Sequence, residues 1–175
     1  LKITNDAADD DLDFLQWKGH ASGTIENYKY EAAKDLYYSV RFQTNDATES
    51  ELAIGLIITD TDPFTSVTDG IFFRKADGDA TLQFVVEKDG TESTLDVAEL
   101  ADDTFITVGF YYDTKDRKFH VYKNNNEIGK VVNTNAPDDE ELAISFGIKN
   151  GAAAAKSLTL DYINVGKERT ADTEL

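Results

Sequence analysis

The sequence predicts an all-β protein, a two-sheet antiparallel sandwich, and three observations carry that prediction. About a dozen short segments alternate apolar and polar residues at the period of two that a pleated strand imposes. Turn-forming residues separate these segments, and Asp77-Gly78 and Asp89-Gly90 supply the positive φ that tight hairpins need. No stretch shows the apolar repeat of a strong amphipathic helix. A strand pair with one apolar face needs a second sheet to cover it, and this requirement gives the sandwich.

The elements follow in order. Leu1 to Thr4 reads as an edge strand or arm, followed by the acidic loop Asn5 to Asp11. Asp9, Asp11 and Asp13 have the alternate spacing of a calcium loop. Phe14 stands where the turn glycine belongs, however, and His20 where the closing glutamate belongs, so the motif fails. Asp13 to Lys18 reads as a short strand anchored by Phe14 and by Trp17, the single Trp, on opposite faces. Gly19 to Gly23 reads as a turn and Thr24 to Tyr30 as a further strand. Asp35 to Thr44 alternates Leu36, Tyr38, Val40 and Phe42 against Tyr37, Ser39, Arg41 and Gln43. Leu52 to Thr59 is almost continuously apolar, as in a strand covered on both faces or one whose outer side chains are small. Asp60 to Pro63 is a loop whose two carboxylates and hydroxyl could face a cation, although Asp and Pro are common loop formers in any case.

Gly70 to Lys75 and Thr81 to Lys88 form a hairpin, and Thr91 to Val97 returns from the second Asp-Gly turn. The hairpin Thr104 to Lys123 places Ile106, Val108, Phe110 and Tyr112 on one face and continues it with Phe119 and Val121. Asn124 to Asn126 turns into Glu127 to Val132, and Leu142 to Lys149 and Ser157 to Val165 complete the strands. Between these last two, the Gly-Ala run Gly151 to Ala155 has the composition of a single helical turn. Residues 1–166 therefore read as one domain with an N-terminal arm over 1–12, and 167–175 as a polar tail.

Composition narrows the function. The 175 residues carry 34 acidic and 17 basic side chains, a net charge of −17 that would repel a phosphate backbone, so no nucleic-acid partner is expected. A self-repelling, solvated surface explains this charge more simply than cation sites or a face for a basic partner. The absence of Cys excludes disulfides and thiolate chemistry. No apolar run is long enough to span a membrane as a helix, and no basic–apolar–small leader is visible. The chain lacks Met and starts at Leu1, so a leader or initiator is expected to have been removed.

No catalytic constellation emerges. A glycosidase-like carboxylate pair two residues apart on one strand is missing, because the paired acids lie at turns. His20 and His120 stand alone in different segments, and the glycines occur singly at turns, so no enzyme, metal centre or cofactor is expected. The remaining signal is aromatic: Tyr37, Tyr111 and Tyr122 fall on polar faces, where they could stack a sugar ring or pair across strands. These three, with Leu1 and Ile3 of the N-terminal arm, are the candidate contact residues.

Asp-Leu-Tyr-Tyr-Ser-Val-Arg-Phe, Asp-Gly-Ile-Phe-Phe-Arg, Phe-Ile-Thr-Val-Gly-Phe-Tyr-Tyr-Asp, Phe-His-Val-Tyr-Lys-Asn-Asn and Leu-Thr-Leu-Asp-Tyr-Ile-Asn-Val occur in an order that resembles laminin-G-like and concanavalin-like jelly rolls over about Asp35 to Val165. The wording Asp-Asp-Thr-Phe-Ile-Thr-Val-Gly-Phe-Tyr-Tyr-Asp and Pro-Asp-Asp-Glu-Glu-Leu is also similar to jelly-roll domains in structural proteins of tailed bacteriophages. That resemblance implies a non-enzymatic decoration protein on the exterior of a virion. Its partners would be the major capsid protein and further copies of itself, a homotrimer among the options. The lectins of the same fold imply the alternative of a carbohydrate-binding adhesion module, with calcium at the turn acids as the one cation left open.

Overall fold

A computed structural model describes residues 1–17, 28–59 and 62–169. Thirteen strands are seen in these residues: β1 (Lys2–Thr4), β2 (Leu12–Trp17), β3 (Tyr28–Lys29), β4 (Leu36–Thr44), β5 (Ser50–Ile57), β6 (Gly70–Lys75), β7 (Thr81–Lys88), β8 (Thr91–Glu99), β9 (Ile106–Asp113), β10 (Lys118–Lys123), β11 (Asn126–Val132), β12 (Glu141–Asn150) and β13 (Ser157–Lys167). One sheet runs β1-β13-β4-β9-β10-β11. The other runs β2-β12-β5-β6-β7-β8, with β3 added on β12, and every pairing is antiparallel. The two-sheet antiparallel jelly roll expected from the sequence is the fold. The expected turn at Gly19 to Gly23, the start of the Thr24 to Tyr30 strand, His20, and Asp60 and Thr61 of the acidic loop lie outside the described residues.

The turns follow their chemistry. Asp89 and Gly90 take φ of 50° and 71°, and Asn124 and Asn125 take 47° and 66°, the consecutive left-handed pair that a two-residue hairpin loop requires. Gly151 to Ala155 is a bend rather than a helical turn. Gly151 donates its N–H to Glu49 O at 3.1 Å, and this tertiary bond, rather than a helical one, fixes the segment.

The core is an aromatic stack between the sheets. Phe110 lies parallel to Tyr38 at 5.5 Å, 5.3 Å from Phe84 and edge-on to Phe119 at 5.8 Å. Ile106, Val108, Tyr112 and Val121 are buried with them, so the Thr104 to Lys123 hairpin forms inner wall as its alternation predicts. β5 is covered on both faces. Leu52, Ile54 and Leu56 enter the main core, while Ala53 and Ile57 join Phe72 and Val85 beneath Phe64 and Val67 of the β5–β6 loop.

The two lateral edges of the sandwich differ. Leu95 of β8 sits on Gly129 of β11 and closes one edge. At the other, β1 and β2 leave a seam of about 420 Å³ between Trp17, Phe146, Leu160 and Tyr162. Phe14 covers Gly147, whereas Trp17 is 68% exposed although its cross-strand neighbour is the core-facing Ile144, because the opposing sheet ends there.

Tyr38 carries a cost within this core. Its hydroxyl is fully buried and has no hydrogen-bond partner among the described residues, and burial pushes its pKa up. Tyr38→Phe removes the orphaned polar group and keeps the ring stack, so it is expected to raise the free energy of unfolding by about 1–2 kcal/mol in urea titrations.

Candidate functional site

The six-stranded sheet turns one face to the core and the other to solvent, and the alternation of β4, β9 and β10 decides what the outer face carries. Register places Tyr37 opposite Tyr111, Ser39 opposite Gly109, and Tyr122 opposite Gly109 on the far side. Gly109 has no side chain, so the sheet has a floor there between three tyrosines. The result is a hollow of about 340 Å³ lined by Tyr37, Ser39, Thr107, Tyr111, Tyr122 and Asn125. The absence of a side chain at Gly109 is enforced by packing, since a Cβ would stand 2.6 Å from Tyr38 O.

Each wall is fixed differently. Tyr111 donates its hydroxyl to the Asp35 carboxylate, whose other oxygen accepts from Thr114 N at 3.0 Å and Thr114 Oγ1 at 2.8 Å. The Tyr111 bond and then the Thr114 N–H hold Asp35 below the usual carboxylate range, and the same Asp35 contact pushes Tyr111 up to about 12. Tyr111 therefore remains a neutral, oriented phenol at any physiological pH. Tyr122 is also raised, by burial and then by Glu127. Tyr37 is 44% exposed and is the wall most open to a ligand. The Asn124-Asn125 turn is tied down by Asn124 N to Thr107 O at 2.8 Å and Thr107 N to Asn124 Oδ1 at 3.1 Å, which holds Asn125 at the rim.

What this arrangement offers is stacking surface with hydroxyl and amide groups around it, the composition that binds a polar ring. Among the described residues, no carboxylate lines the hollow. The other candidates lie apart from it. Leu1 is exposed at the seam, its carbonyl accepting from Leu160 N at 2.8 Å, and Ile3 is partly buried against the core.

Beside the hollow, His120 stands opposite Tyr111 and points outward, as its alternation with Phe119 and Val121 predicts. Ligand atoms of His120, Asp113 and Asp116 lie within 4.8 Å of one another, so these three residues could hold a metal ion. Two of them, His120 and Asp116, already belong to a chain of ion pairs with Glu127 and Lys130. His120 Nδ1 meets Glu127 at 3.0 Å, Nε2 meets Asp116 at 3.1 Å, and Lys130 reaches Asp116 at 3.0 Å. Burial opposes protonation of His120, but the Glu127 and Asp116 carboxylates outweigh it and raise its pKa. Of the Asp60 to Pro63 loop, Asp62 accepts from Phe64 N at 2.9 Å and Thr65 Oγ1 at 2.7 Å, a turn-stabilising role.

No protein-family model and no curated protein matches this sequence. Solved structures do match its shape. The carbohydrate recognition domain of Emp47p superposes with a TM-score of 0.68 at 12% identity, and that of Emp46p in its potassium-bound form with 0.65 at 10%. Each match covers 94% of this chain and 82% of the other. A native glycosidic hydrolase matches with 0.54 at 15% identity over 95% of this chain and 94% of its own. At such identities the likeness establishes architecture, and the chain has the concanavalin-like, lectin-type jelly-roll fold.

Proposed function

We propose that this domain binds glycans without transforming them, and that the hollow formed by Tyr37, Tyr111 and Tyr122 is the binding site. The observation that carries this reading is the convergence of three tyrosines from three strands on one floor made by Gly109. An aromatic wall stacks the apolar face of a pyranose, while Ser39, Thr107 and Asn125 supply polar groups for its hydroxyls. The lack of a carboxylate in the hollow among the described residues supports binding over hydrolysis. The fold shared with carbohydrate recognition domains supports the same reading. The virion reading, a capsid decoration protein assembled with copies of itself, rests on the wording of the sequence alone.

A glycan array probed with and without calcium tests the proposal. Binding is expected in both conditions, and Tyr37→Ala or Tyr122→Ala is expected to weaken it about tenfold or more, the loss of roughly 1.4 kcal/mol of ring contact. An array without a bound glycan in either condition, or binding indifferent to both substitutions, would remove the hollow as a glycan site.

A further inference from the structure

The outer face of the seven-stranded sheet carries a hollow of a different kind. It measures about 190 Å³ and is lined by Phe64 and Thr65 of the β5–β6 loop, Phe72 and Arg74 of β6, and two carboxylates, Glu87 of β7 and Glu92 of β8. Glu87 is anomalous. It is only 7% exposed, yet its carboxyl group has no hydrogen bond and no ion pair among the described residues. Its oxygens reach the open hollow, so a side chain otherwise packed away presents an unpaired carboxyl group to whatever enters there.

The surroundings say what chemistry a partner there needs. Glu92 stands directly across from Glu87 in the β7–β8 register. Arg74 is engaged with Glu92 at 2.9 Å. Asp69, buried just before β6, is held through Asp89 N at 3.2 Å and adds further negative charge. The immediate charges are thus three carboxylates against one guanidinium. The carboxylates do not form a preassembled metal cage: among the described residues, the one trio of ligand atoms within 4.8 Å is Asp113, Asp116 and His120 on the other sheet. An ammonium ion meets both demands, because its charge relieves the Glu87–Glu92 repulsion and its three N–H donors can serve both carboxylates.

We propose that this hollow binds the primary ammonium group of a small polar ligand between Glu87 and Glu92, with Phe64 and Phe72 against its carbon skeleton. The site is independent of the tyrosine hollow. Burial and the charge of Glu92, opposed by Arg74 and reinforced by Asp69, lift Glu87 to about 7. The ammonium selects the ionised carboxylate. Affinity therefore rises about tenfold between pH 6 and pH 8, following the ionised fraction from about 0.1 to about 0.9, and binding at pH 7 releases protons.

The test is a titration of the protein with ethanolamine, which stays charged over this range, against its neutral isostere ethylene glycol, read by amide chemical shifts. Ethanolamine is expected to shift the amides of residues 64–67 and 87–92 with the tenfold pH dependence, and ethylene glycol to leave them unmoved. Glu87→Gln and Glu92→Gln should each abolish the response, whereas Tyr122→Ala should leave it intact. A glucosamine arm at pH 7 separates the sources: tighter binding than ethanolamine assigns an amino sugar, and weaker binding assigns a free amine. Equal responses to ethanolamine and ethylene glycol, no response to ethanolamine, or an unaltered response in Glu87→Gln would overturn the proposal.

Discussion

Phe110→Ala is expected to lower the free energy of unfolding by about 3–5 kcal/mol, the range for truncating a fully buried phenylalanine. Phe110 is completely buried and touches the rings of Tyr38, Phe84 and Phe119. Those neighbours come from β4, β7 and β10, so the void would open where both sheets meet and no single strand could move to fill it. Urea unfolding followed by circular dichroism measures the effect. Phe105→Ala provides the contrast. That ring is 37% exposed under the Arg41 guanidinium at 4.1 Å, and its loss is expected to cost about 1 kcal/mol or less.

Glu87→Gln is expected to remove a pH dependence from stability. The carboxyl titrates at about 7 in the folded protein against 4.5 in a free chain. Below 4.5 both states hold the proton and there is no penalty. As pH rises from 4.5 to 7 the unfolded chain ionises first, which draws the equilibrium towards unfolding, and above 7 the penalty is complete. The difference of 2.5 pKa units corresponds to at most about 3 kcal/mol. Urea titrations at pH 5 and pH 8 should therefore show the wild-type protein losing stability relative to Glu87→Gln by up to that amount. Equal shifts in the two proteins would mean that Glu87 ionises freely in the folded state.

Much of the fold was legible in the strands themselves. Gly70–Lys75, Thr81–Lys88 and the Thr104 to Lys123 hairpin could be read because local alternation and turn residues specify local pairing. Long-range neighbours are a different matter. Nothing local in Asp35 to Thr44 says that it lies beside β9 and places Tyr37 opposite Tyr111. The three tyrosines could be picked out one by one as aromatics on polar faces, but not as one hollow. The floor had a faint signal, a glycine in mid-strand at 109, which often marks close backbone approach. The Glu87–Glu92 pair is split between β7 and β8, so no pattern along a single strand shows it. The two-residue turn at Asp89-Gly90 already sets Lys88 against Thr91 and hence Glu87 against Glu92. Burial of Glu87 depends on the β5–β6 loop folding back over the sheet, which no local pattern encodes. Trp17 taught the converse: alternation assigns it a face correctly, but whether that face is covered depends on where the opposite sheet stops.

The central claim is the location of the glycan site, and amide chemical-shift mapping with an oligosaccharide selected from the array tests it most directly. Binding in the tyrosine hollow predicts shifts concentrated at residues 37–39, 107–111 and 122–125, with the outer face of the seven-stranded sheet unmoved. Shifts confined to the opposite sheet or to the Trp17 seam, with those three segments silent, would contradict it.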